Sequence, residues 1–292
     1  MTPSDMATIF ESHRALLQGL SYRMLGSIAE AEDVVQETFL RWLNADHDAI
    51  DAPRAWLVRV CSRLAIDQLK SARVRREQYV GPWLPEPMIT SDDTPADQLQ
   101  LDDTISMALL TVLERLTPAE RAAFLLHDVF SFDFEEVGRI IDKSAAACRK
   151  LASRAREHVR DNKPRFTSVT SEHERLTGAF LQAVHSGDLE QLQSIFQEDV
   201  TFHSDGGGKA QAARKVLYGR EAVCRFLMAI NDRAAKQTAV ITHDTRWFNG
   251  APGLIIYEDD TPTVAFSFAI SDGKIHAVYA LRNPDKLAGF EH

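Results

Sequence analysis

Two short runs of this chain concentrate the positive charge that could hold a polyanion. Arg54 to Arg76 contains seven Lys/Arg and one Asp, and Lys143 to Arg165 contains eight against two acids, so each carries +6. They sit in an otherwise acidic protein, in which 33 Lys+Arg face 42 Asp+Glu for a formal charge of −9. Ile28 to Asp51 carries −6, and Gly81 to Ile105 holds six acids and no cation. Cations gathered against an acidic background make anion-binding stripes; an ordinary solvated helix face is the plainer alternative. A second set of residues bears on acid–base chemistry: His203, Asp205, His243, Asp244 and His276 offer a possible proton-transferring pair. A histidine on a strand is more often a surface or satisfied core residue. Asp205-Gly206-Gly207-Gly208-Lys209 has the composition of a phosphate loop, but Ala210 follows the lysine and the G-x-x-x-x-G-K-[ST] spacing is not met. It reads instead as a flexible contact loop. Cys61, Cys148 and Cys224 are far apart, with no CxxC pair to suggest a zinc site or a disulfide framework.

The elements that must carry these residues follow from length and periodicity. At 292 residues, 45% of them hydrophobic and 26% charged, the chain has room for two or three domains and the composition of a globular protein. The opening MTPSDMATIF lacks a basic region before an apolar run, and no apolar tract nears the ~18–20 residues of a membrane span. A cytoplasmic protein without membrane attachment is expected.

The first two-thirds read as helices. Ile9, Phe10, Leu16, Leu17, Leu20 and Met24 fall at helical spacing over Asp5 to Leu25. Ser27 and Glu30 make a capping-box pair for a second helix with Val34, Val35, Thr38, Phe39 and Trp42 inward. Asn44 to Asp51 is a polar loop, and Asp51 with Pro53 starts a third helix. On that helix Leu57, Val60, Cys61 and Leu64 share one arc, while Arg59, Arg63, Lys70 and Arg73 share the opposite one. A core stripe backed by a cationic stripe suits a helix on a phosphate backbone, as it suits a plain surface helix. The prolines of Gly81 to Pro87 exclude a helix, and with the acids that follow they read as a linker over 81–105.

Helical pattern resumes at Ala108, with Thr117 as N-cap and Glu120 as its capping-box partner. Phe134–Ile141, the turn Asp142-Lys143-Ser144, and a helix from Ala145 to about Arg160 form a helix-turn-helix candidate. Its second helix packs through Cys148, Leu151, Ala155 and Val159 and presents cations elsewhere, as a helix entering a major groove does. Beyond Pro164, helices at His173–Ser186 and Leu189–Phe196 precede strands at 200–204, 239–248, 253–257, 263–269 and 275–281. Asn249-Gly250, Asp259-Asp260 and Asp272-Gly273 serve as hairpin turns. This predicts a separate α+β domain with a curved antiparallel sheet.

These residues resemble a known family. Ala31 to Arg41 (AEDVVQETFLR) is similar to the region-two signature of bacterial extracytoplasmic-function sigma factors, and Pro53-Arg54-Ala55-Trp56-Leu57 through Asp67-Gln68-Leu69-Lys70 to its continuation. Leu113 to Arg121 (LERLTPAER) and the helix-turn-helix resemble region four. Trp83-Leu84-Pro85-Glu86-Pro87, Asp205 to Lys209, and Asn283-Pro284-Asp285-Lys286-Leu287 resemble the group with a fused SnoaL-like carboxy-terminal domain, a cone with an open pocket. The resemblance implies a multi-domain fold: region two over 1–80, a linker over 81–105, region four over 106–163, a linker over 164–172 and a SnoaL-like α+β domain over 173–292.

It implies an alternative sigma factor that directs core RNA polymerase to promoters and is regulated in cis by its last domain. The implied partners are the clamp and flap of core polymerase and promoter DNA, with an unknown small ligand possible in the pocket and no cofactor. Asp33, Gln36 and Glu37 would meet the polymerase, with Phe39 and Trp42 as apolar anchors or simply core. Arg59, Arg63, Asp67, Lys70 and Arg73 would face the −10 element, whose opening involves capture of an unstacked base near the loop Asp46 to Pro53. Arg63 departs from the family's usual Asn, so that downstream preference does not transfer. Ala145, Ala146, Arg149, Lys150, Ser153 and Arg154 would face the −35 element. Asp142 replaces the family's usual Gly at the turn, where Asp tolerates positive φ. Trp83, Pro85, the Asp205–Lys209 loop and the Asn283–Leu287 segment would form regulatory contacts near the linker. A polymerase-independent DNA-binding regulator, or a SnoaL-like small-molecule enzyme, is the competing reading.

Overall fold

A computed structural model describes residues 2–90, 106–161, 170–234, 236 and 238–290. The acidic part of the expected linker, 91–105, and most of the second one, 164–169, lie outside the described residues. The chain divides into two compact units: residues 1–77 with 109–162, and residues 78–90, 106–108 and those from 163 onward. No described helix is long and apolar enough to cross a membrane.

In the first unit, α1 (Pro3–Leu25) begins at a reciprocal Thr2–Asp5 capping box and stops at Gly26, whose φ of 68° supplies the left-handed end. α2 (Ile28–Leu43) starts at Ser27, whose hydroxyl accepts from the Glu30 amide at 3.4 Å. The expected loop after it contains a 3-10 turn, His47–Ala49, capped by Asp46. α3 (Pro53–Glu77) takes its first hydrogen bond at the Ala52 carbonyl, from Trp56 at 3.0 Å. Ala52, not Asp51, therefore occupies the N-cap position, because Pro53 fixes the helical φ one residue later than the Asp51 signal implies. Phe10, Leu17, Leu20, Val35, Trp42, Leu57 and Cys61 form the core of this bundle.

The same unit holds helices Met107–Leu113 (from Leu109 onward), Pro118–Phe124, Phe134–Ile141 and Ala145–Asp161. Thr117–Glu120 forms the expected capping box, and Pro118–Phe124 runs into a wider π turn, Leu125–Val129. Asp133 and Glu136 make a further capping box. Asp142 adopts φ 54° and ends Phe134–Ile141, and the Ser144 hydroxyl accepts from the Ala147 amide to start the last helix. Gly138 is required here, since a Cβ would lie 2.5 Å from the Lys143 carbonyl oxygen. Arginines tie the helices to α1: Arg121 donates to the Met24 carbonyl at 2.7 Å and Arg76 to Leu25 at 2.8 Å, with Glu114 bridging both guanidiniums. Terminal helix carbonyls carry partial negative charge, which a guanidinium complements.

The second unit is a seven-stranded sheet of order β1-β4-β5-β6-β7-β2-β3. Its strands are β1 (Ile89–Thr90), β2 (Phe196–Asp205), β3 (Leu217–Tyr218), β4 (Ile241–Phe248), β5 (Ala251–Glu258), β6 (Thr261–Ser271) and β7 (Lys274–Leu281). All three expected hairpin turns have positive φ at both central residues. Two expectations need correction. The sheet is mixed, because β2 pairs parallel with β7 and the crossover between them needs intervening chain. The segment 220–234, between the expected strands 200–204 and 239–248 and not expected as a helix, is one, Arg220–Ala234, whose Val223, Cys224 and Leu227 are buried at helical spacing.

Strand alternation sorts the core into two faces. Leu254, Val264, Phe268, Ile275 and Val278 pack against helices Thr170–Ser186, Leu189–Ile195 and Arg220–Ala234. Ile255, Tyr257, Ala265, Ala277 and Tyr279 face the other way and are covered by Leu84, Met107, Leu287 and Phe290. Residues 84–90 are thus wall rather than tether: Leu84, Pro85 and Pro87 are buried, and β1 extends the sheet beside β4.

Candidate functional site

α2 presents one polar face with Asp33 and Gln36 exposed and Glu37 half-buried, ion-paired with Arg41 at 2.9 Å. Phe39 is half-buried with its ring centroid 4.6 Å from that of Phe10. Of the two alternatives for Trp42, the structure has the core one: it is 0% exposed and its indole donates to the Met6 carbonyl at 2.9 Å. The apolar contacts available on this face are Leu40, 54% exposed, and Leu43, 38% exposed. Leu40 lies three, four and seven residues from Glu37, Gln36 and Asp33, so helical periodicity already placed it with them.

On α3, Arg59, Arg63, Asp67, Lys70 and Arg73 are all exposed. Asp67 and Lys70 pair with each other at 2.9 Å across one helical turn. Arg59 borders a cleft of about 300 Å³ that also includes Ile50, Asp51, Ala52 and Trp56, the neighbourhood singled out for base capture. Arg63 is turned to the helix-turn-helix, where its guanidinium reaches Asp142 at 2.7 Å.

The helix Ala145–Asp161 buries Cys148, Leu151, Ala152, Ala155 and Val159. Ala146, Arg149, Lys150, Ser153 and Arg154 are exposed, and Ala145 is half-buried. Arg149 is oriented by Glu135 at 3.1 Å, Arg154 by Glu120 at 2.9 Å and Arg156 by Asp128 at 2.7 Å. Burial works against the Glu120 charge, yet the hydroxyl and amide of Thr117, together with Arg154, hold its carboxyl below the usual range. An arginine held by a carboxylate has lost less entropy to give when it docks, but must exchange one anion for another.

In the second unit the three motifs named above converge on Asp205, which is 0% exposed. Its carboxylate accepts from Tyr79 at 2.6 Å, from the Leu84 amide at 2.9 Å, from the Gly207 amide at 3.0 Å and from Lys286 at 2.8 Å. Lys286 also donates to the Leu84 carbonyl and lies 3.9 Å from the centre of the Trp83 ring, a cation–π contact. Asn283 donates to the Tyr79 hydroxyl at 2.9 Å and caps Pro284–Leu287, while Lys209 pairs with Asp285 at 2.6 Å. Burial, then the hydrogen bond to Asp205, pushes the Tyr79 phenol well above its ordinary range, so it stays a donor. Gly207 has φ 61°, and a Cβ there would meet the Asn283 amide group at 2.5 Å. The loop is therefore a packed turn rather than the flexible contact expected. Tyr79 was not singled out from sequence, because nothing local links it to a carboxylate 126 positions away.

The acid–base candidates do not gather. His203 stacks on Tyr279 at 5.1 Å, Asp205 is committed as above, and Asp244 pairs with Arg246 at 2.7 Å on β4 beside exposed His243. His276 meets the Ser271 hydroxyl at 3.3 Å. Phe180, Phe196, Phe202 and Phe268 pack together between helices and sheet.

Comparison with known proteins follows this division. The Sigma-70 region 2 family model matches residues 9–75 and the Sigma-70 region 4 model residues 106–159. The ECF RNA polymerase sigma factor SigJ of Mycobacterium tuberculosis is 39% identical over 291 residues, covering 96% of this chain and 92% of that protein. A second protein of that organism, named "Probable ECF RNA polymerase sigma factor SigI", is 34% identical over 286 residues, covering 97% and 94%. The crystal structure of Mycobacterium tuberculosis SigJ superposes with a TM-score of 0.77 at 35% identity, covering 97% of this chain and 98% of that one. With both sigma regions in order and the α+β domain after them, the chain belongs to the extracytoplasmic-function family of RNA polymerase sigma factors.

Proposed function

We propose that this protein is an alternative sigma factor that binds core RNA polymerase, carries it to promoters and answers to its own carboxy-terminal domain. Likeness to SigJ along almost the whole length carries the reading. The exposed face of α2, with Asp33, Gln36, Glu37 and Leu40, supports docking on the polymerase clamp. The cations of α3 support contact with the −10 element, and the exposed side of Ala145–Asp161 supports contact with the −35 element and placement at the flap. We further assign 1–80 to region two, 106–163 to region four and 173–292 to a regulatory domain. The dispersal of its histidines and carboxylates supports a non-catalytic role for that domain. Its hold on residues 79–90 supports control through the segment joining the two sigma regions.

Run-off transcription tests the reading: transcripts should need both core polymerase and this chain. Trp83→Ala with Pro85→Ala should change promoter-dependent output while both sigma regions remain folded by circular dichroism. Absence of transcripts with wild-type chain on every template of a random promoter library would refute the assignment.

A further inference from the structure

Arg63 stands on the cationic arc of α3, yet its guanidinium is spent inside the protein. Its Nε donates to the Ile140 carbonyl at 3.0 Å, and one terminal nitrogen donates to the Arg139 carbonyl at 3.2 Å and to Asp142 at 2.7 Å. All three acceptors belong to one place, the carboxy-terminal end of Phe134–Ile141, where helix carbonyls and the Asp142 carboxylate sum their negative potential. A second arginine of α3 acts alongside it, with the Arg54 guanidinium 4.9 Å from the centre of the Phe132 ring. The cleft beside Trp56 and Arg59 is also lined by Phe132 and Arg139. The same surface that would receive the −10 strand is therefore held against the helix-turn-helix.

We propose that Arg63 and Asp142 form an autoinhibitory latch, in which the Asp142 carboxylate and a DNA phosphate compete for one guanidinium. The proposal rests on the sigma-factor reading of α3. The pair is exposed, with side chains 46% and 79% accessible, so it is weak and reversible. Such a latch holds the free chain closed and yields to a polyanion or to salt. Removing the carboxylate should shift the closed-to-open ratio by roughly 1.5- to fivefold, the span typical of exposed ion pairs.

The test uses the full chain with dyes at S12C and E157C, read by single-molecule energy transfer. Asp142→Asn keeps a residue that tolerates positive φ and should raise the open fraction by that factor; Asp142→Arg should raise it further. Reassembled holoenzyme of each variant should form open promoter complexes faster by a similar factor. The charge swap Arg63→Glu with Asp142→Arg should close the free chain again while promoter binding stays impaired. Distance distributions that ignore both Asp142 substitutions would overturn the latch. So would an Arg63→Ala holoenzyme that binds and opens promoters as the wild type does, because then no competition exists. Failure of the wild-type chain to support transcription at all would instead overturn the sigma-factor reading, and the energy-transfer result would still decide whether the contact closes the chain.

Discussion

Replacing Asp205 by alanine should release residues 79–90 from the sheet far more than replacing its partner Lys286 by methionine. The asymmetry follows from how many contacts each change removes. Without Lys286, the Asp205 carboxylate keeps the Tyr79 hydroxyl and the amides of Leu84 and Gly207. Without Asp205, an ammonium on a side chain only 8% exposed loses its carboxylate, and the Tyr79 hydroxyl and the buried Leu84 amide lose their acceptor. Removing the acidic partner of a buried pair costs about 3–5 kcal/mol. A carboxylate still receiving three hydrogen bonds should cost less, about 1–2 kcal/mol. Hydrogen exchange of the peptide spanning 79–90 reads this locally, since each 1.4 kcal/mol is about tenfold in the opening equilibrium. Asp205→Ala should reduce protection by a factor of about several hundred, and Lys286→Met by about tenfold. Equal losses from the two variants, or a loss below tenfold for Asp205→Ala, would refute this account of the junction.

Burial holds the His173 imidazole down to about 4 from 6.5, against the opposing effect of its bond to the Pro252 carbonyl, and its Nε2 has no partner among the described residues. Its neutral form contributes stability that is complete above about pH 6.5 and lost as pH falls towards 4, about 3 kcal/mol in all. His173→Gln should flatten that limb of urea midpoints measured from pH 7 to 4; an unchanged slope means the group is not responsible. Leu40→Asp should weaken core polymerase binding by at least about tenfold in a titration without moving the melting curve, because Leu40 is a surface residue. Gly138→Ala should destabilise the helix-turn-helix by about 1–3 kcal/mol, since its Cβ strikes backbone rather than a movable side chain. Lys150→Ala should reduce the log–log salt slope of promoter binding by roughly 0.9 if it neutralises one phosphate.

The amino-acid sequence by itself determined the elements and their chemistry. Capping residues at Thr117 and Ser144 and the spacing of Leu57, Cys61, Cys148 and Leu151 specify helix starts and buried faces, because such signals act within one or two turns. Charge segregation marked α3 and Ala145–Asp161, and the hairpin dipeptides marked three turns, for the same local reason. Tertiary structure decided what pairs across distance. It turned Trp42 inward onto Met6, spent Arg63 on a helix end 76 to 79 positions away and gathered Tyr79, Leu84, Gly207 and Lys286 around one carboxylate. It also made β2 parallel to β7 and covered both faces of the sheet, so that alternation of polar and apolar residues could not tell which face met helices. Local signals carry no record of such partners, since a donor's preference for an acceptor is the same whichever part of the chain supplies it.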